Sequence, residues 1–174
     1  MSQTTNELIK GGSFVLDELA PERLFTPEDF SEEHKMVGDM TAKFVEDRVV
    51  PVLDRIEKHE FELSVGLLRE AGELGLLGAD VPEAYGGYQM DKISSSIITE
   101  KFARGRSFAL SYGAHVGIGS LPIVFFGNEE QKHKYLPKLA SGEWIASYAL
   151  TEPGSGSDAL GAKTTAVLNE AGTH

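Results

Sequence analysis

The stretch from Ser107 to Phe126 constrains this chain most. It is apolar almost all round, with Ala109, Ser111, Gly113, Ala114, Gly117, Gly119 and Ser120 interspersed. A helix without a polar face belongs in the middle of a bundle. Its small residues allow close helix crossings or leave a ligand channel, and packing accounts for most of them. The expected fold class is therefore mainly α over most of the length.

The flanking sequence supports that reading. Thr26-Pro27-Glu28-Asp29 offers a helix start with a capping hydroxyl, an early proline and acids near the positive end. Ser31-Glu32-Glu33 offers a competing start. Val37, Met40 and Phe44, then Val49, Val52, Leu53 and Ile56 after a shift, predict one long amphipathic helix bent at Pro51. Leu63, Leu67, Ala71 and Leu74 mark a second helix, ending in the Gly72–Gly78 region. Val81 to Gly87 is a turn-rich connector. Asp91 caps a third helix carrying Ile93, Ile97, Ile98 and Phe102, which stops at Gly105. Asn128-Glu-Glu-Gln131 is a capping box for a last helix closed by Gly142. Residues 11–25 are expected to form a short helical or irregular arm docked by its apolar side chains.

Past Gly142 the pattern changes. A strand-like run from Trp144 to Leu150 feeds a turn of small and hydrogen-bonding residues, Thr151 to Asp158, and a strand-like Lys163–Leu168 follows. The expected boundary divides a helical domain, 1–142, from the start of a β-domain, 143–174. Two strands alone neither bury a face nor satisfy their edges, so the chain is expected to be part of something longer. In the turn, Gly154 and Gly156 carry no Cβ and let a ligand approach the backbone. Thr151, Ser155 and Ser157 set hydroxyls beside those amides, and successive amides form an anion-binding concavity. A plain Gly/Ser linker is the alternative, and the strand-like flanks argue against it.

Composition removes several function classes. Of the formal net charge of −11, residues 17–62 contribute −8, from 14 acids and 6 bases. An acidic surface disfavours non-specific binding to nucleic acid or anionic membrane. The chain has no cysteine, so disulfides, thiolate nucleophiles and Cys-based metal sites are absent. No signal-peptide pattern opens it, and no uninterrupted apolar run reaches the length of a membrane span. A soluble, cytoplasmic protein is the expectation.

Ala149-Leu150-Thr151-Glu152-Pro153-Gly154-Ser155-Gly156-Ser157-Asp158, with Gly161 beyond it, resembles the flavin-binding signature of the acyl-CoA dehydrogenases. Val81-Pro82 with Tyr85-Gly86-Gly87 agrees, as does Phe126-Gly127-Asn128-Glu-Glu-Gln131-Lys132 leading to Tyr135-Leu136-Pro137-Lys138-Leu139-Ala140-Ser141-Gly142-Glu143. Gly113-Ala114-His115, with Gly11-Gly12-Ser13-Phe14, is most similar to the long-chain and very-long-chain branch. The resemblance implies an N-terminal helical bundle followed by the truncated start of a middle β-domain. It implies FAD held by Tyr148, Ala149, Leu150, Thr151, Glu152, Pro153, Gly154, Ser155, Gly156 and Ser157. Leu150 and Thr151 would meet the isoalloxazine ring, and Ser157 would reach both the pyrophosphate and the acyl-CoA substrate. The reaction implied is that of fatty acid β-oxidation: α-proton abstraction and β-hydride transfer to FAD, giving a trans-2-enoyl-CoA. Electron-transferring flavoprotein would take the electrons, and the full-length enzyme would be a homo-oligomer. The family's catalytic base is a glutamate of a C-terminal domain, so no catalytic residue is assigned here, and these 174 residues alone are expected to be inactive.

Other candidates carry less. Glu152 is a tempting general base, but the resemblance makes it scaffold. Ser155 has no histidine nearby in sequence to activate it. His34, His59, His115, His133 and His174 lack metal-ligand spacing, and His115 reads as a satisfied core histidine or a channel residue. Lys101, Arg104 and Arg106 read as a surface cluster at a helix end rather than a CoA phosphate site. Two rival functions stand beside the dehydrogenase. One is an acyl-CoA oxidase or flavin monooxygenase of the same fold, distinguished by its reaction with oxygen. The other is a non-enzymatic helical module, distinguished by being a stable monomer that binds no flavin.

Overall fold

A computed structural model describes residues 25–173, with Gly12, Val15, Leu16 and Glu18 ahead of them. The arm expected over residues 11–25 falls almost wholly outside the described residues. The described chain is mainly helical, with α1 Glu32–Phe44, α2 Leu53–Ile56, α3 Phe61–Glu73, α4 Lys92–Phe102, α5 Ser107–Gly113, α6 Leu121–Phe126 and α7 Glu129–Ala140.

Of the two competing starts, the second opens the helix. Thr26 closes its box with Asp29, yet this makes only a 3-10 turn, because Phe30 leaves helical geometry with ψ 128°. Ser31 then caps α1: its hydroxyl accepts from the His34 N–H at 3.1 Å, and His34 Nδ1 accepts from the Ser31 N–H at 3.2 Å. The long helix bent at Pro51 is present as a run of altered hydrogen bonding. A π-helical stretch, Val45–Val49, and a 3-10 turn, Val50–Val52, join α1 to α2. Proline has no N–H to donate, so the ladder shifts around it.

This rod packs along α4, and α3 and α5 close the core. Val45, Val49, Leu76, Ile98, Phe102 and Phe108 are each at most 1% exposed. Phe102 sits at the centre, stacked on Tyr112 at 3.8 Å between centroids, with Phe44 and Phe108 near 6 Å. The glycines of the second helix have the expected reason at Gly72. A Cβ there would lie 2.3 Å from the Ser141 carbonyl oxygen, so α3 meets the end of α7 backbone to backbone. Gly142 closes α7 at φ +76°.

Asp91 joins two helix ends. One carboxylate oxygen accepts from the Ser94 N–H at 2.7 Å to cap α4, and the other meets His34 Nε2 at 2.9 Å. The Ser94 N–H, then His34, holds the Asp91 carboxyl down at about 2, against an ordinary 3.8. A depressed carboxylate contributes stability that is full above its unfolded value and lost as pH falls toward its folded one. Asp91→Ala should therefore cost about 1 kcal/mol at neutral pH. It should also flatten the fall in melting temperature between about pH 4 and pH 2. Thermal melts across that range check both effects.

Two expectations are corrected. The run Ser107–Phe126 does form helix, as α5, a π-helical stretch Ala114–Ser120 and α6. It is not surrounded, however: Leu110 is 76% exposed, Phe125 63% and Phe126 86%. The other described helices cover only the side bearing Phe108, Tyr112, His115 and Ser120. By length and composition alone this run is also apolar enough to cross a membrane, contrary to the reading from residue order. Its buried side makes bundle contacts, including a bond from the Tyr112 hydroxyl to the Leu76 carbonyl at 3.1 Å.

The second correction concerns the two strands. Residues 145–151 and 162–169 lack helix and form no ladder; among the described residues the one bridge pairs Glu152 with Ser155. Strands need partners for their N–H and C=O groups, and none is within reach in the described residues.

Candidate functional site

The residues leading into the loop leave the end of α7 across the π-helical stretch. The Trp144 N–H donates to the Lys138 carbonyl at 3.0 Å, and Lys138 Nζ lies 4.4 Å over the indole. The Ala146 N–H donates to His115 Nδ1 at 3.0 Å. The next backbone donor engaged is Glu152. Between these, Tyr148 is 52% and Leu150 44% exposed, and the peptide groups of residues 147–151 face no partner among the described residues.

The loop is braced from behind. Glu152 and Ser155 exchange backbone hydrogen bonds at 2.9 and 3.1 Å, closing a turn over Pro153-Gly154. The Glu152 carboxylate accepts from the backbone N–H groups of Lys163 at 2.8 Å and Thr164 at 3.1 Å. Hydrogen bonds from Thr164 and Lys163 hold that carboxyl below its ordinary value. A carboxylate so engaged makes a poor proton acceptor, which fits the scaffold role. Ser155 departs from expectation: it is buried and its hydroxyl donates to the Asp158 carbonyl, so it braces the loop instead of offering a free donor. Tyr148, Ala149, Leu150, Thr151, Pro153, Gly154, Gly156 and Ser157 all lie on the exposed side. A Cβ built on Gly154 or Gly156 would meet nothing within 4 Å. The chain's own packing does not call for glycine there, and open space stands beside both.

A groove of about 390 Å³ runs between α4 and the π-helical stretch, lined by Asp80, Ser95, Ser96, Thr99, Gly113, Val116 and Gly117. Four of these have no side chain beyond a hydroxymethyl group, which leaves a slot of mixed polarity. Residue order carried no sign of which face of α4 would line it.

The remaining candidates resolve into structure. His115 is fully buried with both ring nitrogens engaged, Nε2 on the Leu139 carbonyl at 3.0 Å and Nδ1 on Ala146. Burial pushes its imidazole below the usual histidine value. The expected core histidine is thus found, but its bond to the segment entering the loop was missed, since nothing in sequence pairs residues 115 and 146. His34 pairs with Asp91, His59 stacks on Phe61 at 5.7 Å, His133 lies 3.9 Å from Glu129, and His174 is outside the described residues. Arg104 pairs with Glu46 at 2.8 Å and Lys101 with Glu100 at 3.7 Å. Among the described residues, no group of three or more His, Asp or Glu side chains is placed to hold a metal.

Residues 31–143 match the family profile described as "Acyl-CoA dehydrogenase, N-terminal domain". The chain is 67% identical over 174 residues to a probable acyl-CoA dehydrogenase of Bacillus subtilis, covering 100% of this chain and 29% of that one. It is 38% identical over 138 residues to the mitochondrial isovaleryl-CoA dehydrogenase of Bos taurus, covering 78% and 32%. Among solved structures, an acyl-CoA dehydrogenase complexed with FAD from Bacillus anthracis superposes at a TM-score of 0.92. It is 66% identical, over 96% of this chain and 29% of that one. The chain thus spans about a third or less of the length of these relatives.

Proposed function

Because the chain belongs to the acyl-CoA dehydrogenase family, we propose that residues 148–157 form one wall of an FAD site in a longer flavoenzyme. The observation that carries this is the loop's two-sidedness. Glu152 and Ser155 fasten it from behind, and the opposite side presents Thr151, Ser157, unpartnered amides and two glycines with open space beside them. An acceptor with a flat polar edge and a pyrophosphate suits such a surface. FAD, when bound, supplies the acceptor for a hydride. On this reading Leu150 and Thr151 orient the flavin ring, and Ser157 reaches the pyrophosphate and the acyl-CoA. The full-length protein oxidises a fatty acyl-CoA to the trans-2-enoyl-CoA and passes electrons to an electron-transferring flavoprotein.

The groove between α4 and the π-helical stretch supports an acyl chain entering between these helices. The uncovered apolar side of α5–α6, with Leu110, Phe125 and Phe126, is the side we assign to contact with the rest of the longer protein. The catalytic base lies in that remainder, since Glu152 is engaged as scaffold. The 174 residues alone are accordingly without turnover.

We assign the long-chain branch on Gly113-Ala114-His115. A series of acyl-CoA substrates tests it with the full-length protein: kcat/KM should be highest with palmitoyl-CoA. A maximum with isovaleryl-CoA would overturn the branch and leave the family intact. Peroxide formed in step with product, without an electron-transferring flavoprotein, would instead favour the oxidase reading.

A further inference from the structure

His115 touches neither the groove nor the loop surface, yet it stands between them. Its helical neighbours Val116 and Gly117 line the groove. Its ring faces the other way, into the body, and ties two separate pieces of chain. Nε2 meets the carbonyl of Leu139 in the last turn of α7, and Nδ1 meets the N–H of Ala146, both at 3.0 Å. A carbonyl only accepts and an amide N–H only donates, so these partners fix the ring as the neutral Nε2–H tautomer. The buried Ser120 hydroxyl donates to the His115 carbonyl at 2.7 Å and helps hold the π-helical turn. A second contact marks the same crossing. A Cβ on Gly119 would lie 2.6 Å from the Ala146 Cβ, so the backbone there is pressed against Ala146. Among the described residues, the Ala146–His115 bond is the sole hydrogen bond donated by residues 145–151.

We propose that His115 is a positioning residue, whose Nδ1 lone pair sets the distance between the groove-lining helix and the segment that carries Tyr148 to Thr151. This rests on the reading of residues 148–157 as the flavin wall. A groove and a cofactor wall built on different pieces of chain need a fixed spacing if a substrate carbon in one is to meet an acceptor on the other. The crossing at Ala146 is where the chain supplies it.

The test uses the full-length protein and two isosteric replacements. His115→Asn puts an amide oxygen near the place of Nδ1 and keeps an acceptor for Ala146. His115→Gln puts an amide nitrogen near the place of Nε2 and keeps only the donor to Leu139. In His115→Gln, hydrogen exchange at the Ala146 amide should be about tenfold faster. That variant should lose about 100-fold in kcat/KM, chiefly through kcat, with an altered flavin spectrum. His115→Asn should restore most of each, although both variants lower the melting temperature. Gly119→Ala, which leaves the imidazole in place, should expose the Ala146 amide as His115→Gln does. Equal behaviour of the Asn and Gln variants, or an Ala146 amide that exchanges alike in all of them, would overturn the proposal. Wild-type protein that holds no flavin would sink the functional reading instead, and the exchange measurement still decides the role of His115.

Discussion

Glu152→Ala in the full-length protein should strip most of the FAD from the purified enzyme and lower kcat/KM for palmitoyl-CoA about 100-fold. The melting temperature of the helical bundle should stay close to wild type. The carboxylate joins the loop to Lys163 and Thr164 through two backbone N–H groups, and neither partner belongs to the core. Its loss frees Thr151 and Ser157 from a fixed relation without opening a cavity. Glu152→Gln keeps one carbonyl acceptor in place and should fall between the two. That ordering separates a brace from a base. A general base replaced by glutamine would lose activity as completely as with alanine, and FAD would remain bound.

Phe102→Ala should have the largest effect on stability, a loss of about 3–5 kcal/mol. Phe102 is 1% exposed and its ring meets Phe44, Phe108 and Tyr112, so truncation removes contacts on several sides at once. The surrounding rings belong to two other helices, Phe44 to α1 and Phe108 and Tyr112 to α5, so the ring of Phe102 joins three helices. Phe102→Leu keeps most of the volume and should cost markedly less. Chemical denaturation at neutral pH measures both. Equal losses for the two variants would mean that the site is governed by ring stacking and not by volume. A loss near zero would mean that the core is centred elsewhere.

The parts of the fold written in local chemistry were legible. The Asn128–Gln131 box, the Asp91 cap and the apolar faces of α1 and α4 each lie within a few residues, where spacing alone fixes the partner. The start of α1 was legible only as a choice, because Thr26 and Ser31 both have capping side chains. It was settled by Phe30, whose backbone turns away before the first box can propagate. The uncovered side of α5–α6 was not legible. An all-apolar helix is read as surrounded, and nothing in its own residues says that Leu110, Phe125 and Phe126 stay exposed among the described residues. The strand-like runs form no ladder among the described residues for a related reason: β-propensity marks a side-chain preference, and a ladder also needs a neighbour.

At the candidate site, the signature gave the loop's residue types and Glu152's role as scaffold, but not the direction in which each side chain points. Ser155 turns inward and Ser157 outward, though both are serines beside glycine. The tether from His115 to Ala146 joins residues 31 apart in sequence and has no periodic or motif signal. The groove residues Ser95, Ser96 and Thr99 look like ordinary polar positions of a helix until α5 is laid beside them.

The central claim, that residues 148–157 are one wall of an FAD site in an acyl-CoA dehydrogenase, is tested most directly by flavin absorbance. The purified full-length protein would be followed before and after anaerobic addition of palmitoyl-CoA, beside Glu152→Ala. The expected result is stoichiometric FAD in the wild type, bleaching as trans-2-hexadecenoyl-CoA forms, and little flavin in the variant. A wild-type protein that neither carries nor takes up FAD, or a Glu152→Ala protein that holds and bleaches its flavin as the wild type does, would contradict it.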